Sequence, residues 1–85
     1  MDAKATGGLI ARRRKEKNWS QGELTERLHV TDKAVSKWET GRGFPDLKLL
    51  EPLAQTLEVS LVELLQGERT SSPTLSVEEA GQVAA

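Results

Sequence analysis

Eighty-five residues with no cysteine and a single histidine point to one small domain of packed helices, since neither a disulfide framework nor a Cys- or His-based metal cluster can be assembled. The net charge of −1 conceals an asymmetry, with ten Lys/Arg against six Asp/Glu over residues 1–43 and two against seven over 44–85, which suggests one face toward a polyanion and another turned from it. No run approaches the roughly 20 apolar residues of a membrane span and no apolar signal segment opens the chain, so a soluble, cytoplasmic protein is expected.

Residues 1–7 show no periodic pattern and are expected to be a flexible start. From about Gly8 to Lys17 a short basic helix is predicted with Ile10 inward, closing at Asn18, a residue that tolerates the left-handed conformation. Ser20-Gln21-Gly22-Glu23 has the spacing of a capping box and starts a second helix at about Gln21, with Leu24 and Leu28 as an i, i+4 apolar pair. Thr31-Asp32 offers the next N-cap, which leaves only His29-Val30 as connection and forces the two helices to cross steeply.

The third helix, about Asp32 to Thr40, divides by the 3.6-residue period. Ala34, Val35 and Trp38 share one face, and Lys33, Ser36, Lys37 and Thr40, spaced i, i+3, i+4, i+7, form a cationic polar stripe on the other. Gly41-Arg42-Gly43-Phe44-Pro45 is full of helix breakers and reads as a loop. Asp46 then caps a fourth helix with Leu47, Leu49, Leu50, Leu53, Ala54 and Leu57, in which Pro52 should cost stability or bend the axis unless it falls within the first turns. Ser60-Leu61-Val62-Glu63 is a second capping box, opening a fifth helix with Leu61, Leu64 and Leu65 toward the core and Gly67 as its stop. The folded domain is expected over 8–67. Residues 68–85 are rich in Ser, Thr, Pro, Gly and Ala and are expected to be a disordered tail or the stub of a linker, with a third capping-box match at Ser76-Val77-Glu78-Glu79.

Short helices of which the second and third are joined by a three- to four-residue turn are the architecture of a helix-turn-helix unit, whose third helix lies in the major groove of DNA. Residues 8–67 resemble the Cro/C1-type, lambda-repressor-like helix-turn-helix family of phage repressors and bacterial xenobiotic-response-element regulators. The resemblance is carried by Arg14-Lys15-Glu16-Lys17, by Trp19-Ser20-Gln21 with Glu23-Leu24, and by Leu28 with Val30-Thr31. It continues through Ala34-Val35-Ser36-Lys37-Trp38-Glu39 with Gly41 and Pro45, Leu49-Leu50, Leu53-Ala54, and Leu57 through Val59-Ser60 to Leu64-Leu65. It implies an all-α, compact five-helix fold and a sequence-specific regulator, most often a repressor, that binds a palindromic double-stranded operator as a dimer weak in the absence of DNA. Thr25, His29 and Arg13 depart from the Ala, Gly and Leu that the family favours at their positions.

By the same resemblance Thr31, Asp32, Lys33, Ser36 and Lys37 face base edges. Gln21, Thr40 and Arg42 meet phosphates, Gln21 also bracing the third helix, Arg14 and Glu39 form a structural ion pair, and Leu24, Leu28, Val30, Val35 and Trp38 make the core of the two-helix unit. Asp32 has two readings, acceptor for cytosine N4 or complement to the helix dipole. Trp19 and Trp38 read as core rather than base-stacking platforms, and His29, with no second histidine or nucleophile beside it in sequence, as a turn residue rather than a ligand or catalyst. An enzyme is disfavoured because no nucleophile–base pair, metal cluster or phosphate loop is visible, and no cofactor is implied. The rival reading is a protein-interaction module of the same fold, such as a bridging co-activator or an antitoxin component.

Overall fold

The first helix, α1, spans Ala3–Glu16 and starts on Asp2, whose carboxylate accepts the Lys4 N–H at 2.9 Å. The computed structural model of the chain describes residues 2–68. The flexible start expected over 1–7 is therefore corrected: residues 3–7 are the opening turns of α1, and Thr6 and Gly7 are buried. Two tertiary contacts outweigh the poor helix propensity of Gly7-Gly8. The Thr6 hydroxyl donates to the Leu64 carbonyl at 3.0 Å, and Gly7 lies so close to the third helix that a Cβ there would overlap the Trp38 carbonyl oxygen. A helical glycine costs roughly 1 kcal/mol relative to alanine, less than the steric clash it avoids here.

α1 closes in a Schellman motif: Asn18 is left-handed at φ 61°, its N–H bonds the Lys15 carbonyl, and the Trp19 N–H reaches back to Arg14. Helix α2 (Gln21–Leu28) carries the expected capping box, with the Ser20 hydroxyl accepting from the Glu23 N–H at 3.1 Å and the Glu23 carboxylate accepting from the Ser20 N–H at 2.7 Å. Helix α3 (Asp32–Glu39) is capped by Thr31, whose hydroxyl accepts the Ala34 N–H at 3.1 Å. Helix α4 (Leu47–Leu57) follows Asp46, which occupies the N-cap without a side-chain capping bond. It passes through Pro52, whose exposed position turns the carbonyl left unpaired by the ring toward water. Helix α5 (Leu61–Gln66) has the second capping box, on Ser60 and Glu63, and ends at Gly67, φ 75°.

α1 is the hub, packing on α3, α4 and α5, while α2 packs on α3 and α4. Ile10, Leu24, Leu28, Val35, Trp38, Leu50, Leu53, Ala54, Leu57 and Leu64 form one apolar cluster, with Trp19, Val30, Leu49 and Leu65 half-buried against it. Leu61, expected to face this core, is instead 43% exposed beside Val62. The helix turns Glu63 and Leu64 inward, and Leu61, as its first residue, is left at the rim. Among the described residues no helix is long and apolar enough to cross a membrane. Of the tail expected over 68–85, residues 69–85, with the third capping-box match, lie outside the described residues.

Candidate nucleic-acid interface

Helix α3 is fixed from one side and open on the other. Val35 and Trp38 are 0% and 4% exposed, whereas Lys33 and Lys37 are exposed and Ser36 is half-buried between them. The tight α2–α3 turn behind this geometry depends on His29, which takes the left-handed conformation at φ 58° as the C-cap of α2. The Val30 N–H then bonds the Thr25 carbonyl at 3.2 Å, and the chain is delivered to Thr31 in an extended conformation. Thr31 and Asp32 stand exposed at the N-terminal end of α3. The Thr31 oxygen accepts the capping bond, and its hydroxyl keeps a proton to donate.

The other end of α3 closes on Gly41, left-handed at φ 76°, with the Gly41 N–H bonded to Trp38 and the Arg42 N–H to Lys37. That closure brings Arg42 back beside the stripe. Lys33, Ser36, Lys37 and Arg42 line one open cleft of about 420 Å3, three cations around a hydroxyl on a single face. Thr40 is tied into it: its hydroxyl donates to the Ser36 carbonyl at 2.8 Å and accepts from Arg42 Nε at 3.1 Å. Two of the residues expected at phosphates are thus joined, with Thr40 aiming Arg42.

The third, Gln21, stands elsewhere. Its Nε2 donates to Glu39 Oε1 at 3.0 Å, and Glu39 is held by Arg14 through Nε at 2.7 Å and Nη2 at 3.1 Å. The expected Arg14–Glu39 pair is present, and Gln21 joins it as a brace between the start of α2 and the end of α3. Arg14 also donates from Nη1 to the Trp19 carbonyl at 2.7 Å, so one guanidinium links α1, the α1–α2 loop and α3.

Three positioning features were not legible in sequence. Gly7 sets how closely α1 approaches α3, and only the Trp38 carbonyl opposite it reveals the need. Arg13 donates from Nε to the Leu57 carbonyl at 2.9 Å, which satisfies a C-terminal acceptor of α4. Trp19 has Arg27 over its ring at 4.0 Å and Lys17 at 5.4 Å, so two cations of the basic half attach to α1 and α2 and not to the α3 stripe.

A family model described as helix-turn-helix matches residues 10–64. The chain belongs to the lambda/Cro-repressor-like family of helix-turn-helix transcriptional regulators. It is 42% identical over 52 residues to the transcriptional activator BcrR of Enterococcus faecalis, covering 61% of this chain and 26% of that protein. It is 34% identical over 73 residues to the regulator DicA of Escherichia coli, covering 86% of this chain and 54% of DicA. The chain therefore spans about a quarter to a half of the length of these relatives. Among solved structures, the P22 C2 repressor DNA-binding domain superposes with a TM-score of 0.71 at 29% identity, covering 86% of this chain and 96% of that domain. The biofilm regulator SinR in complex with DNA superposes at 0.65 with 34% identity, covering 71% and 97%. Family and fold together support a sequence-specific DNA-binding regulator.

Proposed function

We propose that this chain is the operator-reading domain of a repressor acting in the cytoplasm, with α3 laid in the major groove. Lys33, Ser36 and Lys37, with Thr31 and Asp32 at the helix start, meet base edges, and Gln21 and Arg42, the latter aimed by Thr40, hold the backbone on either side. The observation that carries this reading is the convergence of Lys33, Ser36, Lys37 and Arg42 on one cleft, on a helix whose other face is locked into the core. Lysine pairs with guanine O6 and N7, so each half-site should contain guanine.

The chain binds as a symmetric dimer on half-sites about one helical turn, roughly 34 Å, apart. Self-association without DNA is weak and runs through exposed Leu61 and Val62 on α5, the larger apolar side chains next to the α4 end. Selection of sites from a random DNA pool tests the whole reading. A palindromic consensus with guanine, whose base preference relaxes in Lys33→Ala and Lys37→Ala, is the expected result. Weak, sequence-blind binding would instead favour the protein-bridging role.

A further inference from the structure

Gly43 has no backbone reason to be glycine. Unlike Gly41 and Gly67 it is not left-handed, and it precedes Phe44 in the loop between α3 and α4. The space above it is already taken, however. A Cβ built on Gly43 would lie 2.7 Å from Lys37 Cε, 3.5 Å from Cδ and 3.5 Å from Nζ, and these are its three nearest neighbours. The stem of Lys37 therefore lies across the bare face of Gly43, with the ammonium beside it. Lys37, like Lys33, lines two clefts, one with Ser36 and Arg42 and one with Ala34, Phe44, Asp46 and Leu49, so the direction of its stem decides which of them receives the Lys37 charge.

We infer that Gly43 is a specificity-positioning residue: its missing side chain provides the track on which Lys37 is held toward its base. This rests on the proposed reading of Lys37 as a base contact. A lysine ammonium on four rotatable bonds is otherwise a loosely directed point charge. Laying its stem on a fixed loop reduces the orientations lost on binding, and a directed donor discriminates between bases where a wandering one only attracts phosphate. Any side chain at 43 would displace the stem, and because the clash is with a flexible side chain rather than backbone, the fold would be unaffected.

The experiment is a double-mutant cycle of Gly43→Ala and Lys37→Ala, measured on an operator obtained by random-pool selection and on its single-base variants, with thermal melts of each protein. Gly43→Ala is expected to melt with the parent and to bind random-sequence DNA within about twofold of it. It should lose about fivefold or more of its discrimination at the one base pair that Lys37→Ala also relaxes. In the Lys37→Ala background the same substitution should change nothing. The inference is overturned if Gly43→Ala leaves discrimination intact, weakens all sequences alike, or acts equally with Lys37 absent. If Lys37→Ala itself relaxes no base pair, the failure belongs to the proposed reading of α3 and not to Gly43 alone.

Discussion

Arg14 grips Glu39 across the α1–α3 contact with two bonds, Nε to Oε2 at 2.7 Å and Nη2 to Oε1 at 3.1 Å, and the two side chains are only 11% and 6% exposed. At that burial, removing one partner strands the other charge. Glu39→Ala is expected to cost about 3 kcal/mol, well beyond a surface bridge. Arg14→Met combined with Glu39→Leu should cost less than either single truncation, because no buried charge is then left alone. Urea titrations of the three variants check this, and single-mutant losses below about 1 kcal/mol would remove the pair from the account of stability.

The neighbouring glycines of α1 should respond to alanine with opposite signs. At Gly7 a Cβ overlaps the Trp38 backbone, which cannot swing aside, so Gly7→Ala is expected to lose about 2 kcal/mol or more. At Gly8 the nearest atom to a Cβ is Arg12 Nη1 at 3.9 Å, and Gly8→Ala should gain about 0.5–1 kcal/mol from helix propensity. Thermal melts separate them readily, since 1 kcal/mol is worth about 4–8 °C in a domain of this size.

His29 holds a left-handed backbone that costs a non-glycine residue about 1–2 kcal/mol. His29→Gly is expected to relieve that strain and stabilise the fold by about 0.5 kcal/mol, net of the extra freedom glycine adds to the unfolded chain. His29→Val should destabilise, because branching at Cβ aggravates the same clash. A His29→Gly variant that melts below the parent would show that the imidazole makes a compensating contact.

Thr40 and Arg42 should behave as one unit in DNA binding. Arg42→Ala is expected to weaken all sequences alike and reduce the salt dependence by about one unit. Thr40→Val removes the oxygen that receives Arg42 Nε. It should weaken binding by less and leave the salt slope unchanged, because the charge remains. In the Arg42→Ala background Thr40→Val should have no effect; an undiminished loss there would mean that the Thr40 hydroxyl meets phosphate itself. Titrations at several salt concentrations distinguish the two.

Local chemistry made much of this architecture readable. The capping boxes at Ser20 and Ser60 mark α2 and α5 because serine and glutamate three apart satisfy each other's neighbouring amides wherever the chain goes. The stripe on α3 follows from helical period alone. What escaped depends on distant partners. Residues 3–7 read as aperiodic until Gly7 is placed against Trp38, and Leu61 reads as core until α5 is seen to turn Glu63 and Leu64 inward. Gln21 reads as a brace for the third helix only through the resemblance; its partner, Glu39, lies eighteen residues on, and their contact belongs to the crossing of α2 and α3 and not to either helix.

The contact between Thr6 and the Leu64 carbonyl joins α1 to α5 across fifty-eight residues. During synthesis α1 emerges first, but it cannot complete its docking until α5 has cleared the ribosome, and Gly67 then seats against Ala5 to finish the closure. The α2–α3 pair, built from near neighbours, is available much sooner, as short-range contacts are the quickest to form. A chain interrupted before Leu64 would therefore hold its cationic helix on an unfinished support, so production of the DNA-reading surface is tied to translation of the complete fold.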